Sequence, residues 1–239
     1  MVTVDARNDA QESALTQLGA LAAAHTALGD LGAPLANAED ARSAAVLVLF
    51  GVLDSLQSEH LAQSAAVSRD LDVLLLARAS TLRSHAGQIA FPGGRIDPED
   101  DGVIAAALRE AEEETGLDPA GIRVLGALEP VPLATSQHLV TPVLAWWTDP
   151  SPVHAVDQAE SADVFRVPVA DLLDPANRVT TVLHRNGYIW RGPAFVLPPS
   201  SGGHLVWGFT AMVLDGLFNR LGWTEPWDVT RERALPPTP

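Results

Sequence analysis

The chain is predicted to be an α/β protein. Short apolar runs suited to strands lie on both sides of an Ala-, Leu- and Glu-rich helical stretch at residues 103–115, and a second amphipathic helix spans 206–221. No internal repeat or low-complexity tract interrupts this order. At 239 residues, 47% of them hydrophobic, the chain can bury a large core, and no boundary forces two domains.

Taken in order, residues 11–31 carry a loose helical period (Leu15, Leu18, Leu21, Ala22, Leu28) and read as a peripheral helix. Gly32-Ala33-Pro34 then breaks the chain, so 1–40 is expected to form a helical extension to a domain at 41–228. Residues 43–53, SAAVLVLFGVL, read as a buried strand and 72–77 as its neighbour, joined by a polar loop or short helix over 54–70. Beyond 103–115, a helix closed by Gly116, strands are expected at 122–128 and 139–148, with Pro142 suggesting an edge or a bulge. A short strand at 164–167 leads into a helical turn at 169–173. Residues 179–184 and 188–190 flank Asn186-Gly187, a strong hairpin signal. Gly222 stops the last helix, and the Pro-rich tail at 229–239 is expected to fray.

The formal net charge is -15, from 30 acidic residues against 15 arginines and no lysine. Such a chain repels nucleic acid and anionic membranes, and an anionic substrate would need metal and local arginines to approach it. There is no cysteine, so disulfides and thiolate metal sites are excluded, and a reducing cytoplasm is the expected location. No signal-like or membrane-spanning apolar run is found.

Chemistry concentrates in residues 87–117, GQIAFPGGRIDPEDDGVIAAALREAEEETGL. On a helix at 103–115, Ile104, Ala107, Leu108 and Ala111 share one face, and Glu110, Glu113 and Glu114 share another. Carboxylates at those spacings repel, and negative charge near a helix C-terminus opposes the macrodipole. Either this is a solvated acidic face with Arg109 paired to Glu113, or it is a site for hard divalent cations, which prefer carboxylate oxygens and substrate phosphates.

The stretch closely resembles the Nudix hydrolase signature, G-x5-E-x7-R-E-U-x-E-E-x-G-U with U aliphatic. Arg109, Glu110, Ala111, Glu113, Glu114, Gly116 and Leu117 fit its second half, whereas the loop after Gly94 is one residue longer and carries Asp100 at the acidic position. Asp101 is the alternative there. Upstream, Arg78, Ala79, Arg83, Gly87 and Phe91-Pro92-Gly93-Gly94 are similar to the extra signature of the coenzyme A diphosphatase branch, which has the same longer, Asp-containing loop. The resemblance extends to VTPV at 140–143 and WGFTA at 207–211. It departs at Ser136-Gln137, where many members have Ser-Gly.

The resemblance implies an α/β/α sandwich with a mixed, curved sheet between helices. It also implies metal-dependent hydrolysis of the pyrophosphate of coenzyme A or a derivative, with Mg²⁺ or Mn²⁺. Glu110 and Glu114 are then the metal ligands, and Glu113 is a third ligand or a base. Gly93 and Gly94 bring backbone groups to metal and phosphate. Arg109 orients a glutamate, and Glu160 is either a further loop carboxylate acting as base or a solvated surface residue. Arg78 and Arg83 either bind the adenosine or 3′-phosphate end or serve packing. His85 and Trp207 are more simply structural. The expected partner is thus a small nucleotide of coenzyme A type, with the chain a monomer or homodimer. Another nucleoside diphosphate derivative, such as ADP-ribose or a dinucleotide, and a non-catalytic ligand sensor are the competing functions.

Overall fold

The computed structural model describes residues 4–29, 31, 41–52, 56–80, 87–133, 136–185 and 188–235. In chain order the elements are α1 (Val4–Ala23), β1 (Arg42–Val52), β2 (Leu71–Arg78), β3 (Ile89–Ala90), β4 (Gly93–Arg95) and α2 (Gly102–Thr115). There follow β5 (Ile122–Ala127), β6 (Val131–Leu133), β7 (His138–Trp147), β8 (Ser161–Pro168), α3 (Val169–Leu173), β9 (Arg178–Arg185), β10 (Tyr188–Val196), β11 (Leu205–Val206), α4 (Phe209–Leu221) and β12 (Glu232–Ala234).

β1 is the spine of an eight-stranded mixed sheet. It runs parallel to β7, with Arg42 beside His138 and Phe50 beside Trp146. On its other edge it pairs antiparallel with β4 near its start and with β2 near its end, so the sheet forks there. β2 in turn carries β3 on one edge and β8 on the other. A four-stranded sheet, β11-β10-β9-β12, stands beside it.

The run read from the sequence as a buried strand is apolar throughout because both its faces are covered. Ala45, Leu47 and Leu49 join Leu74, Val143, Ala145 and Trp147 in a core under α2, whereas Val48 and Phe50 join Val73, Leu75 and Leu144 in a larger core under α1 and α4. The period of two sends alternate residues to opposite layers. The result is a helix–sheet–helix sandwich in which, among the described residues, α2 is the helix on one face.

α1 is not peripheral in its packing: Ala14, Leu18 and Ala22, at i, i+4 and i+8, are almost fully buried, and the helix lies against β5, β7 and α4. Gln17 accepts a hydrogen bond from the Trp223 indole at 2.7 Å, and Arg7 pairs with the buried Asp70. The helix stops at Ala23 although the apolar period runs to Leu28, because His25 takes φ 44° and Gly29 φ 110°. Leu28 is still buried, but from a loop.

Pro142 lies in an interior strand, not at a sheet edge. It falls between the segment of β7 paired to β6 and that paired to β5, where the outer ladder changes partner, and its carbonyl accepts the Leu128 N–H. A proline is tolerated there because no regular ladder bond is demanded of it. Arg185 pairs with Tyr188, as a two-residue hairpin connection requires, while Asn186 and Gly187 themselves lie outside the described residues. Residues 56–70 form turns without a helix.

Truncating Leu18 to Ala should lower stability by about 2–5 kcal/mol, the cost of a cavity at a fully buried leucine. Urea unfolding measures it, and a loss under about 1 kcal/mol would mean that α1 contributes little to the fold.

Candidate active site

α2 lies close to the sheet because the residues it presses there are small: Ala106, Ala107 and Ala111 are fully buried against β1 and β7. Leu108 packs beside them, but Ile104, expected on the same face, is 38% exposed in the first turn of the helix. Gly116 ends the helix in the left-handed region at φ 67°, its N–H donating to the Glu112 carbonyl at 2.8 Å. Glu110, Glu113 and Glu114 are thereby turned away from the sheet, into a small open cleft that they line together with Asp157, Glu160 and Ser161.

The glycine turn meets this helix directly. β4 pairs with β1 so tightly at Gly93, φ 153°, that a β-carbon would run into the Ala45 carbonyl and Val46. At Gly94 a β-carbon would overlap the Glu110 carboxylate. The Gly93 N–H donates to Glu114 Oε2 at 2.9 Å. Glycine is required at Gly93 by both close approach and conformation, whereas at Gly94 a β-carbon would displace the Glu110 carboxylate.

Arg109 fastens the acidic loop to the helix. Its Nε and Nη2 donate to the two oxygens of Asp100, each at 2.9 Å, its Nη2 to the Arg95 carbonyl at 3.1 Å, and its Nη1 to Glu113 at 3.1 Å. Glu110 lies 3.2 Å from the same guanidinium. The two-pronged bond to Arg109 holds the Asp100 carboxyl below the usual carboxylate range, and Asp100 in return raises the guanidinium further. Asp101 stands at the helix start and makes no side-chain cap.

The opposite wall comes from the end of β2 and the start of β8. Arg78 pairs with Ser161 across a ladder irregularity, and the Ala79 N–H donates to the Glu160 carbonyl at 2.8 Å. Glu160 is exposed; Asp157 caps its own turn by accepting the Ala159 N–H at 2.8 Å. Burial raises the Glu114 carboxyl to about 7, against the pull of the Gly93 N–H and Arg78 and with the push of Glu110 and Glu160. Burial likewise raises Glu110, opposed by Arg109.

The structure thus brings Glu110, Glu113, Glu114, Arg109, Glu160, Arg78, Gly93 and Gly94 to one place. Arg83 and His85 lie outside the described residues. Trp207 is half-buried and not part of either core. Thr210 of the same stretch ties α4 to the Ile89 carbonyl at 2.9 Å. Among the described residues no three His, Asp or Glu side chains converge closely enough to hold a metal ion as they stand. Glu114 is engaged by Gly93, and Glu113, 59% exposed, is turned to Arg109. The donor set nevertheless fits a hard divalent cation: Glu110 and Glu114 are half-buried oxygen donors one helical turn apart, and burial disfavours the ionised form of both until a cation arrives. Asp157 and Ser161 of the cleft were not singled out from the sequence; the acidic pair Asp157 and Glu160, three residues apart, was the available signal.

A family model described as the NUDIX domain matches residues 59–185. The chain is similar to a Cronobacter sakazakii protein named as an uncharacterized Nudix hydrolase, NudL, at 41% identity over 150 residues, 63% of this chain and 75% of that one. A Photorhabdus laumondii protein of the same name is 39% identical over 145 residues, 61% and 74% of the two chains. Among solved structures, a MutT/nudix family protein from Enterococcus faecalis aligns over 80% of this chain and 65% of its own, with TM-score 0.46 and 20% identity.

A carboxyl whose folded pKa exceeds its unfolded value stabilises the fold at low pH, and that contribution is lost as pH rises. For Glu114 the window runs from 4.5 to about 7. In metal-free protein, Glu114→Gln should therefore melt increasingly above the parent as pH is raised through this window, by roughly 2–4 °C for each kcal/mol relieved. Melting curves of the pair at several pH values check this, and a difference in Tm that is constant with pH would contradict it.

Proposed function

This chain belongs to the Nudix family, whose members hydrolyse phosphoanhydride bonds, and on that premise we propose that its substrate is coenzyme A or an acyl derivative. The products would be 3′,5′-ADP and 4′-phosphopantetheine or its acyl form. One observation carries the reading: three residues of the signature upstream of the helix adjoin its carboxylates, Gly94 beside Glu110, the Gly93 N–H on Glu114, and the charge of Arg78 felt at Glu114. This adjacency supports reading the branch signature and the helix as one site.

Nudix hydrolases use divalent metal ions, and here Glu110 and Glu114, with Glu113 as third, would hold Mg²⁺ or Mn²⁺, which would offset the charge of the pyrophosphate oxygens. The residues of the chain do the rest. Gly93 and Gly94 bring the β4 backbone up against Glu110 and Glu114, and so set backbone groups beside the ions and phosphates that these carboxylates would hold. Arg109 fixes Glu110 and Glu113 from outside the cleft, and Asp100 fixes Arg109. Glu160, exposed at the rim facing Glu114, takes the proton of the attacking water. The water oxygen bonds to phosphorus, the bridging P–O bond breaks, and its electron pair leaves on the departing phosphate. Arg83 is assigned to the 3′-phosphate end of the substrate from its place in the signature alone.

Turnover measured in parallel on coenzyme A, ADP-ribose and NADH with Mg²⁺ or Mn²⁺ tests this. Coenzyme A should be the preferred substrate. Activity confined to ADP-ribose or NADH would overturn the substrate, and no activity on any would favour a ligand sensor. Glu110→Gln and Glu114→Gln should each lower kcat by roughly a hundredfold or more, since charge stabilisation by a bound cation is worth several kcal/mol. Circular dichroism should show both variants folded.

A further inference from the structure

Arg78 was expected from the signature either to bind the adenosine or 3′-phosphate end of the substrate or to serve packing, but its placement in the fold argues for a third role. It is the last residue of β2, and side chains two apart on a strand share a face. Leu74 packs in the core beneath α2, so Leu74, Leu76 and Arg78 look toward the catalytic helix, while Leu75 and Ala77 look toward α1 and α4. The backbone at this point is clamped from both sides. The Arg78 N–H donates to the Gln88 carbonyl at 3.0 Å, the Gly87 N–H donates to the Arg78 carbonyl at 3.2 Å, and Ala79 is bonded to Glu160. Across the ladder stands Ser161, a buried residue that lines the carboxylate cleft.

The head of this side chain is poised and unspent. Arg78 is half-buried, its Nε is shielded from solvent, and that Nε has no hydrogen-bond partner. No carboxylate among the described residues forms an ion pair with it, though its charge is felt at Glu114. A shielded guanidinium N–H without an acceptor is costly unless something else supplies one. Arg109, by contrast, is fully engaged with Asp100, Glu113 and the Arg95 carbonyl, and so has little left for substrate.

We propose that Arg78 is a catalytic residue that binds the scissile pyrophosphate itself, donating to a non-bridging oxygen beside Glu114. This rests on the phosphoanhydride hydrolysis proposed above but not on which diphosphate is hydrolysed. The guanidinium fork matches phosphate oxygens, and its donation strengthens as negative charge builds on the phosphate that leaves with the bridging electron pair. Arg78 thus supplies, from the β2 wall, positive charge that the acidic helix cannot.

The test compares Arg78→Ala and Arg78→Lys with the parent on coenzyme A and on dephospho-coenzyme A, which lacks the 3′-phosphate. A pyrophosphate contact predicts that Arg78→Ala loses roughly ten- to a hundredfold in kcat/KM on both substrates alike, mostly in kcat. Arg78→Lys, which keeps the charge without the fork, should lose less. Added guanidinium ion should restore part of the turnover of Arg78→Ala, a rescue that a purely structural role would not show. A loss confined to coenzyme A and expressed in KM would overturn the proposal and return Arg78 to the 3′-phosphate. Unchanged kinetics would overturn it also. Should Arg78→Ala fail to fold, the lysine variant carries the same comparison. Should the parent act on ADP-ribose or NADH and not on coenzyme A, a kcat loss on that substrate would uphold the role of Arg78 while the coenzyme A reading fell.

Discussion

Everything about the site depends on how close one turn of backbone comes to one turn of helix. Gly94 occupies the space beside the Glu110 carboxylate, and Gly93 reaches Glu114 with its N–H while resting on the backbone of β1. That approach needs small residues on both sides of α2: glycines in front and Ala106, Ala107 and Ala111 behind, which let the helix settle against β1 and β7. Larger residues behind would lift the carboxylates away from the turn, and a β-carbon in front would displace them. The packing core under α2 and the catalytic surface above it are thus one constraint expressed on two faces.

The electrostatics follow from the same closeness. Three carboxylates on one helix in a chain of net charge -15 repel one another, and partial burial adds to the cost of keeping Glu110 and Glu114 ionised. Arg109 relieves only the outer side, through Asp100, Glu113 and Glu110. On the inner side Arg78 is the positive charge felt at Glu114, and burial still raises that carboxyl, which suits the site to a cation and an anionic substrate arriving together. Two further arginines are consumed by the fold. Arg166 pairs with the buried Asp72 over the Trp147 ring, and Arg178 lies between Phe195 and Trp227 while pairing with Asp215. A planar guanidinium can stack on rings and bond at its edge at once, which an ammonium cannot, and the absence of lysine accords with this use.

The sequence made the long elements legible because each obeyed a period that nothing tertiary overrode. β1, β2, β7 and α2 lie where their apolar runs and Gly116 put them, and α4 stops at Gly222 but begins at Phe209, not at 206, because Val206 pairs with Phe195 as part of β11. The two- and three-residue strands β3, β4, β6, β11 and β12 were illegible for the opposite reason: they exist only because a neighbouring edge is there to pair with. The end of α1 was misread because an apolar period persists through a loop when the loop too is buried, as Leu28 shows. Pro142 was misread as an edge signal because sequence cannot say that the partner strand changes beside it. At the site, the helix and the glycine turn were visible as spacing, whereas Asp157 and Ser161 joined them only through the fork of the sheet around β2.

That fork also explains why a site of this kind can form here at all. Where β1 exchanges β4 for β2, two strands that are neighbours in the sheet diverge, and β2 runs on with β8 to deliver Arg78 and Ser161 beside the C-terminal half of α2. β4 and β1 meanwhile hold the glycine turn under the same helix. The cleft is therefore walled by segments distant in sequence but fixed by ladder hydrogen bonds on each side. The glycine turn, Arg78 and Ser161 are positioned by backbone pairing, which suits preorganised charge stabilisation of a phosphoryl transfer, while Asp157 and Glu160 reach the cleft from the turn that leads into β8.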